Sequence, residues 1–162
     1  MITLTLAFIY FCLGIGTYHL LNVKKPNIKF YTTELYQKYP TRATEGSAGH
    51  DFYTSHIISI PPKETVMIDT NVKVDIPEGY VLQMYMRSSM GIKKHLMLAN
   101  TVGIIDSDYK ETIKAVLYNY GDKEVIIKPH DRFMQGVCIP YITTKQAPLS
   151  LTRNGGIGST GR

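Results

Sequence analysis

From Ile28 onward the apolar positions of this chain recur in short alternating runs broken by Pro, Gly, Asn and Asp, with hardly any helical period. Alternation of this kind suits half-buried strands, and its frequent interruption suits a sandwich or barrel. Ile28 to Tyr31 reads as a first strand and Pro40 to Ser47 as a polar loop. His56 to Ile60 and Thr65 to Val74 read as strands split by Pro61-Pro62. Pro77-Glu78-Gly79 turns the chain into Tyr80 to Met86, where Val81, Gln83 and Tyr85 oppose Leu82, Met84 and Met86. Ile113, Ala115 and Leu117 alternate with Lys114 and Val116, and Tyr120-Gly121-Asp122 then turns into Val125 to Ile127. Phe133 to Ile142 is the last strong strand, and Pro140, which cannot donate to a ladder, predicts an edge position for it. After Pro148 the chain becomes small and glycine-rich, a composition that cannot bury enough surface to fold alone. The expected fold class is therefore all-β.

The first 23 residues break this pattern. Met1 to Val23 contain no Asp, Glu, Lys or Arg, and Lys24-Lys25 follow at once. A helix of that length rises roughly 35 Å, enough to cross a hydrocarbon core of about 30 Å. The leader is thus a candidate membrane anchor, and the positive-inside rule would keep Lys24-Lys25 and the body of the chain in the cytoplasm. Thr3, Thr5, Thr17, Tyr18, His19 and Asn22 dilute it, and a wrongly assigned start or a packed extension would also account for it. The organisation that follows is a leader over 1–23, a β domain over 24–148 and a flexible arm over 149–162.

At 162 residues there is room for one domain with a real core. Eighteen basic against 13 acidic residues lean toward anionic partners without choosing among nucleotides, nucleic acid and membrane. Cys12 and Cys138 sit far apart in apolar runs and read as buried thiols, while the five histidines are scattered with no metal-ligand spacing, which argues against a zinc site.

Polar clusters stand at the ends of the apolar runs. In Gly103-Ile104-Ile105-Asp106-Ser107-Asp108-Tyr109 two carboxylates lie two residues apart beside an aromatic. A carboxylate can orient or deprotonate water beside a phosphate, and a ring can shape a sugar pocket, although an Asp-x-Asp alone is also ordinary turn chemistry. The others are Ala48-Gly49-His50-Asp51, Arg87-Ser88-Ser89-Met90-Gly91, Arg132-Phe133-Met134-Gln135, and the tail Arg153-Asn154-Gly155-Gly156-Ile157-Gly158-Ser159-Thr160.

Taken together, in this order and spacing, the five clusters resemble the signature motifs of the trimeric deoxyuridine triphosphatase (dUTPase) family, over about residues 27–162. The resemblance implies a jelly-roll β-barrel, assembled as a homotrimer with sites shared between subunits. It implies cleavage of dUTP to dUMP and pyrophosphate with Mg²⁺, which limits uracil in DNA and supplies dUMP for dTMP synthesis; a nucleic-acid partner is not expected. By analogy Asp51 would support Mg²⁺ through water, and Arg87, Ser88, Ser89 and Gly91 would hold the phosphate chain. Asn100, Gly103 and Ile105 would read uracil, Asp106 would hold the attacking water, and Tyr109 would pack against the deoxyribose. Gln135 would help position water, while Arg153, Ile157, Gly158, Ser159 and Thr160 would close over base and γ-phosphate. Three positions depart from the family pattern: Met86 stands where Pro is usual, Glu111 where Gly is common, and Ile157 where an aromatic stacks on the base.

Hydrolysis between the α- and β-phosphates needs in-line water, an acceptor for its proton and cations to spread charge, and these clusters supply them. A dCTP deaminase on the same fold would need a glutamate ten residues past Asp106, where Val116 stands. The other alternative is a non-catalytic nucleotide-binding or interaction protein, for which Asp51, Asp106 and Gln135 would have no purpose.

Overall fold

The computed structural model describes residues 25–143. The leader and the C-terminal arm expected from sequence lie outside the described residues, as does Cys12. Eleven strands and one short helix follow in chain order: β1 (Lys29–Thr32), β2 (Gly49–Tyr53), β3 (Ile58–Ile60), β4 (Thr65–Asp69), β5 (Val72–Asp75), β6 (Tyr80–Met86), α1 (Ser88–Lys94), β7 (Leu96–Leu98), β8 (Gly103–Ile105), β9 (Lys114–Asn119), β10 (Val125–Ile127) and β11 (Arg132–Pro140). All pairings are antiparallel: a four-stranded sheet ordered β2-β11-β6-β8, a three-stranded sheet β4-β9-β7, and the pairs β1-β5 and β10-β3. This is the all-β class expected from the alternation, in the jelly-roll form that the resemblance implies. Among the described residues no helix is long and apolar enough to cross a membrane.

The inward positions of these strands make one core. Phe52, Leu82, Leu117, Ile127, Phe133 and Met134 have no exposed surface, and burial of each such side chain stabilises the fold by about 1.5–3 kcal/mol. Gly136, in the middle of β11, leaves room for side chains of the two flanking strands: a Cβ there would lie 3.0 Å from Leu82 Cδ1 of β6 and 3.1 Å from Phe52 Cε2 of β2.

Four sequence expectations change. The strand predicted over Thr65 to Val74 is two strands, because Asn71 adopts the left-handed conformation (φ 55°) and its N–H donates to Asp69 Oδ1 at 2.9 Å. An Asx turn of this type needs only a short polar side chain, and it swings the chain from the β9 sheet to pair with β1. The strand predicted from His56 begins only at Ile58, because Thr54 Oγ1 donates to the His56 carbonyl at 2.8 Å and holds a turn. Most consequentially, the final strand is not an edge. β11 lies between β2 and β6, and Pro140 occupies its last rung opposite Tyr80, where the missing N–H interrupts nothing. Cys138, expected buried, is half-buried on this strand opposite Leu82.

Candidate active site

Three of the predicted clusters lie largely in secondary structure, that of Arg132 to Gln135 being wholly within β11. Gly49-His50-Asp51 is the start of β2, and its pairing with β11 sets Asp51 directly opposite Gln135. Gly49 packs closely against Gln135 there: a Cβ would lie 2.7 Å from Gln135 Oε1 and would displace that flexible side-chain end. Arg87 is the extended residue that caps α1 (φ −68°, ψ 142°), so the chain leaving β6 turns through Arg87 into Ser88. Met86, where the expected turn has Pro, remains in the ladder opposite Met134.

Asp51 is the anchor of this region. Only 7% exposed, it accepts from Arg87 Nε at Oδ1 (3.0 Å) and from Arg132 Nη1 at Oδ2 (3.0 Å). Arg87 Nη1 also donates to the Arg132 carbonyl at 3.1 Å. Arg132 opened one of the sequence clusters without being assigned a role; its position opposite Tyr53, two residues past Asp51 on β2, became visible only once β2 and β11 were paired. Asp51, Arg87, Ser88 and Gln135 line a cleft of about 330 Å³ together with Ser47 and Gly49. Ser89 and Gly91 continue along α1 and are not among the residues lining it.

A second cleft, of about 540 Å³, is lined by Asn100, Gly103, Ile105, Tyr109, Met84, Met134 and apolar neighbours. Its floor is unusual in one respect: β8 is the last strand of its sheet and pairs only with β6, so its outer backbone groups are available to a ligand. The approach to β8 is a tight turn in which Val102 N–H donates to the Asn100 carbonyl at 2.7 Å and Thr101 has φ 63°. Gly103 lies against Met84, with 3.1 Å between an added Cβ and Met84 Cβ. The Tyr109 ring is 8% exposed, and its hydroxyl donates to the Thr112 carbonyl at 2.8 Å, which fixes the plane of the ring.

Asp106 joins these elements by the turn that brings Tyr109 N–H to its carbonyl at 3.1 Å, but it opens onto a third cleft of about 500 Å³ with Glu78, Asp108 and Tyr141. The structure thus gathers the predicted residues into separate groups. The first two groups lie on opposite faces of one sheet, because Gln135 and Met134 are adjacent on β11 and point to opposite sides. Arg153, Ile157, Gly158, Ser159 and Thr160 lie outside the described residues.

His50, on β2 opposite Gly136, has its ring 5.2 Å from that of Phe30. Burial holds its imidazole below the ordinary value, and the charge of Arg42 pushes the same way. Its Nδ1 is buried, and hydrogen bonding to the Gly136 backbone works against the downward shift.

The sequence pattern of the dUTPase family matches residues 36–161. The deoxyuridine 5′-triphosphate nucleotidohydrolase of Hydrogenobaculum sp. (strain Y04AAS1) is 38% identical over 128 residues, covering 75% of this chain and 89% of the relative. That of Escherichia phage T5 is 38% identical over 135 residues, covering 75% and 90%. The crystal structure of the dUTPase from Streptococcus mutans aligns with TM-score 0.67 and 31% identity, over 72% of this chain and 98% of that one.

Proposed function

The chain belongs to the dUTPase family and hydrolyses dUTP to dUMP and pyrophosphate, and from this premise we propose that its separate clefts are parts of one composite site. The observation that carries the proposal is the placement of the Asp51–Arg87–Gln135 and Asn100–Gly103–Tyr109 groups on opposite faces of a sheet. One nucleotide cannot contact both in a single chain. A homotrimer, in which one subunit presents its sugar-and-base cleft to the phosphate cleft of the next, brings them together.

In this reading uracil lies along the outer edge of β8, where Gly103 and Ile105 offer backbone groups and Asn100 a side-chain amide. Fixed donors and acceptors would be left unpaired by cytosine, which discriminates strongly. The ring of Tyr109, held by its bond to Thr112, packs against the deoxyribose and leaves no space for a 2′-hydroxyl. Arg87 and Ser88 hold the phosphate chain, with Ser89 and Gly91 shaping the turn behind them. Asp106 orients water in line with the α-phosphorus and accepts its proton; the bond from that phosphorus to the bridging oxygen breaks, and pyrophosphate leaves. Gln135 supports the same water. Arg153, Ile157, Gly158, Ser159 and Thr160, in the arm over 149–162, close over base and γ-phosphate, with Ile157 covering the base without stacking on it.

The donor set suits a cation carried in on the triphosphate. Among the described residues no three His, Cys, Asp or Glu side chains are grouped to hold a metal. Each Asp51 oxygen already accepts a guanidinium bond, so Asp51 fits Mg²⁺ only through water. When bound, Mg²⁺ would neutralise charge on the phosphate oxygens.

The charge-free composition of residues 1–23 supports a membrane anchor that leaves the catalytic domain cytoplasmic. Resistance of the protein to alkaline extraction from membranes, lost on deletion of 2–23, tests this.

The central experiment offers each deoxynucleoside triphosphate with Mg²⁺ and follows pyrophosphate release. Release from dUTP alone is expected, reduced about 10²–10⁴-fold in Asp106→Asn with binding retained. Tight binding of dUTP without turnover by the wild type would instead favour a nucleotide-sensing role.

A further inference from the structure

We propose that Arg132 is a positioning residue of the phosphate cleft, acting through Asp51 to fix the guanidinium of Arg87. The proposal rests on the reading of that cleft as the triphosphate site.

Strict alternation along β11 would send Arg132 to the same side as Met134, into the core. Phe133 and Met134 are instead both fully buried in succession, and the register shifts between Arg132 and Met134, so that Arg132 opposes Tyr53 while Met134 opposes Phe52. That β-bulge turns the Arg132 side chain outward, onto the face of Asp51 and Gln135. There Arg132 holds Arg87 twice: its carbonyl accepts from Arg87 Nη1 at 3.1 Å, and its own Nη1 meets Asp51 Oδ2 at 3.0 Å while Asp51 Oδ1 meets Arg87 Nε at 3.0 Å. Arg87 and Asp51 line the cleft, and Arg132 is tied to it by its bonds to both.

The arrangement has two physical consequences. A lone Asp51–Arg87 pair would nearly cancel in this sheltered place; the second guanidinium leaves a net positive charge facing the phosphates. Asp51, gripped at both oxygens, has one orientation, and so does the planar fork of Arg87. Such a fork engages phosphate oxygens well only when its plane is set.

The test uses the full chain as wild type, Arg132→Met, Arg132→Lys, Arg87→Ala and the double variant Arg87→Ala/Arg132→Met. Binding of α,β-imido-dUTP and of dUMP is measured for each, with Mg²⁺, alongside kcat/KM for dUTP. Arg132→Met is expected to weaken the triphosphate analogue about 10-fold or more and to lower kcat/KM about 10–100-fold, the scale of a slightly misplaced catalytic contact, while dUMP binding stays near wild type. Arg132→Lys should recover part of the loss, and the double variant should be no worse than Arg87→Ala. Additive losses, or equal weakening of analogue and dUMP, would overturn the assignment. Tight analogue binding unchanged by Arg132→Met would overturn it while leaving the dUTP reading intact; a wild type that binds neither nucleotide overturns both.

Discussion

Gly49 packs against Gln135 in the cleft of Asp51 and Arg87, the proposed phosphate site. Its missing side chain is the space that Gln135 Oε1 occupies, at 2.7 Å from where a Cβ would be. Gly49→Ala must push the Gln135 amide aside, and with it any water that amide holds, while Asp51 and its two arginines stay in place. We expect kcat for dUTP to fall about 10-fold or more with melting temperature little changed, read by steady-state kinetics and thermal unfolding on the same preparation. One residue on, His50 makes a prediction of a different kind. Folding depresses its pKa, first by burial and then by the charge of Arg42, so the folded chain favours the neutral ring. Stability from this source is complete above the ordinary imidazole value of about 6.5 and is lost as pH falls through the lower folded value, since the unfolded chain takes the proton first. Melting temperature should therefore drop between pH 7.5 and pH 5, and His50→Gln should shrink that drop. An equal drop in both proteins would remove His50 as its cause.

At the scale of elements, Asn119 ties the end of β9 to its neighbours. Fully buried, it donates from Nδ2 to the Ile60 carbonyl (2.9 Å) and the Lys123 carbonyl (2.8 Å), and accepts at Oδ1 from Gly121 N–H (3.0 Å). It thereby closes the β9–β10 turn and pins it to β3. Asn119→Ala leaves three backbone groups without partners, which should cost about 2–4 kcal/mol and lower the melting temperature by about 5–10 °C in a calorimetric scan. Strands with one buried face, such as β6 and β9, were legible because alternation is the direct imprint of a half-buried ladder. β2 was not, because Gly49-His50-Asp51 follows no such alternation: its buried positions include a carboxylate whose desolvation is offset by two arginines from elsewhere in the chain. α1 was missed because seven residues with no buried side chain leave no apolar stripe. β11 was found but misplaced at an edge, since Pro140 signals a lost donor without saying that the loss falls on the last rung. The site residues were legible as types before they were legible as neighbours; Arg132 was missed because a bulge, which alternation cannot encode, decides its direction.

At the scale of the molecule, the opposed clefts make subunit exchange the decisive measurement. Gln135 and Met134 are consecutive residues of one strand, yet one lines the cleft of Asp51 and Arg87 and the other the cleft of Gly103 and Tyr109. If each catalytic site takes its phosphate contacts from one chain and its sugar-and-water contacts from the next, two inactive variants can repair each other. Arg87→Ala spoils the first contribution and leaves Asp106 intact; Asp106→Asn spoils the second and leaves Arg87 intact. Unfolded together in equal amounts and refolded, they should form mixed trimers in which about a quarter of the sites combine an intact Arg87 with an intact Asp106. Recovery of about a quarter of wild-type kcat is then expected, against almost none when each variant is refolded alone. A chain that builds its whole site internally would show no recovery in the mixture. Since both substitutions are at cleft-lining residues outside the apolar core, normal refolding can be verified for each by its far-ultraviolet spectrum and its mass in solution, so that an absence of recovery counts against the shared site and not against the refolding.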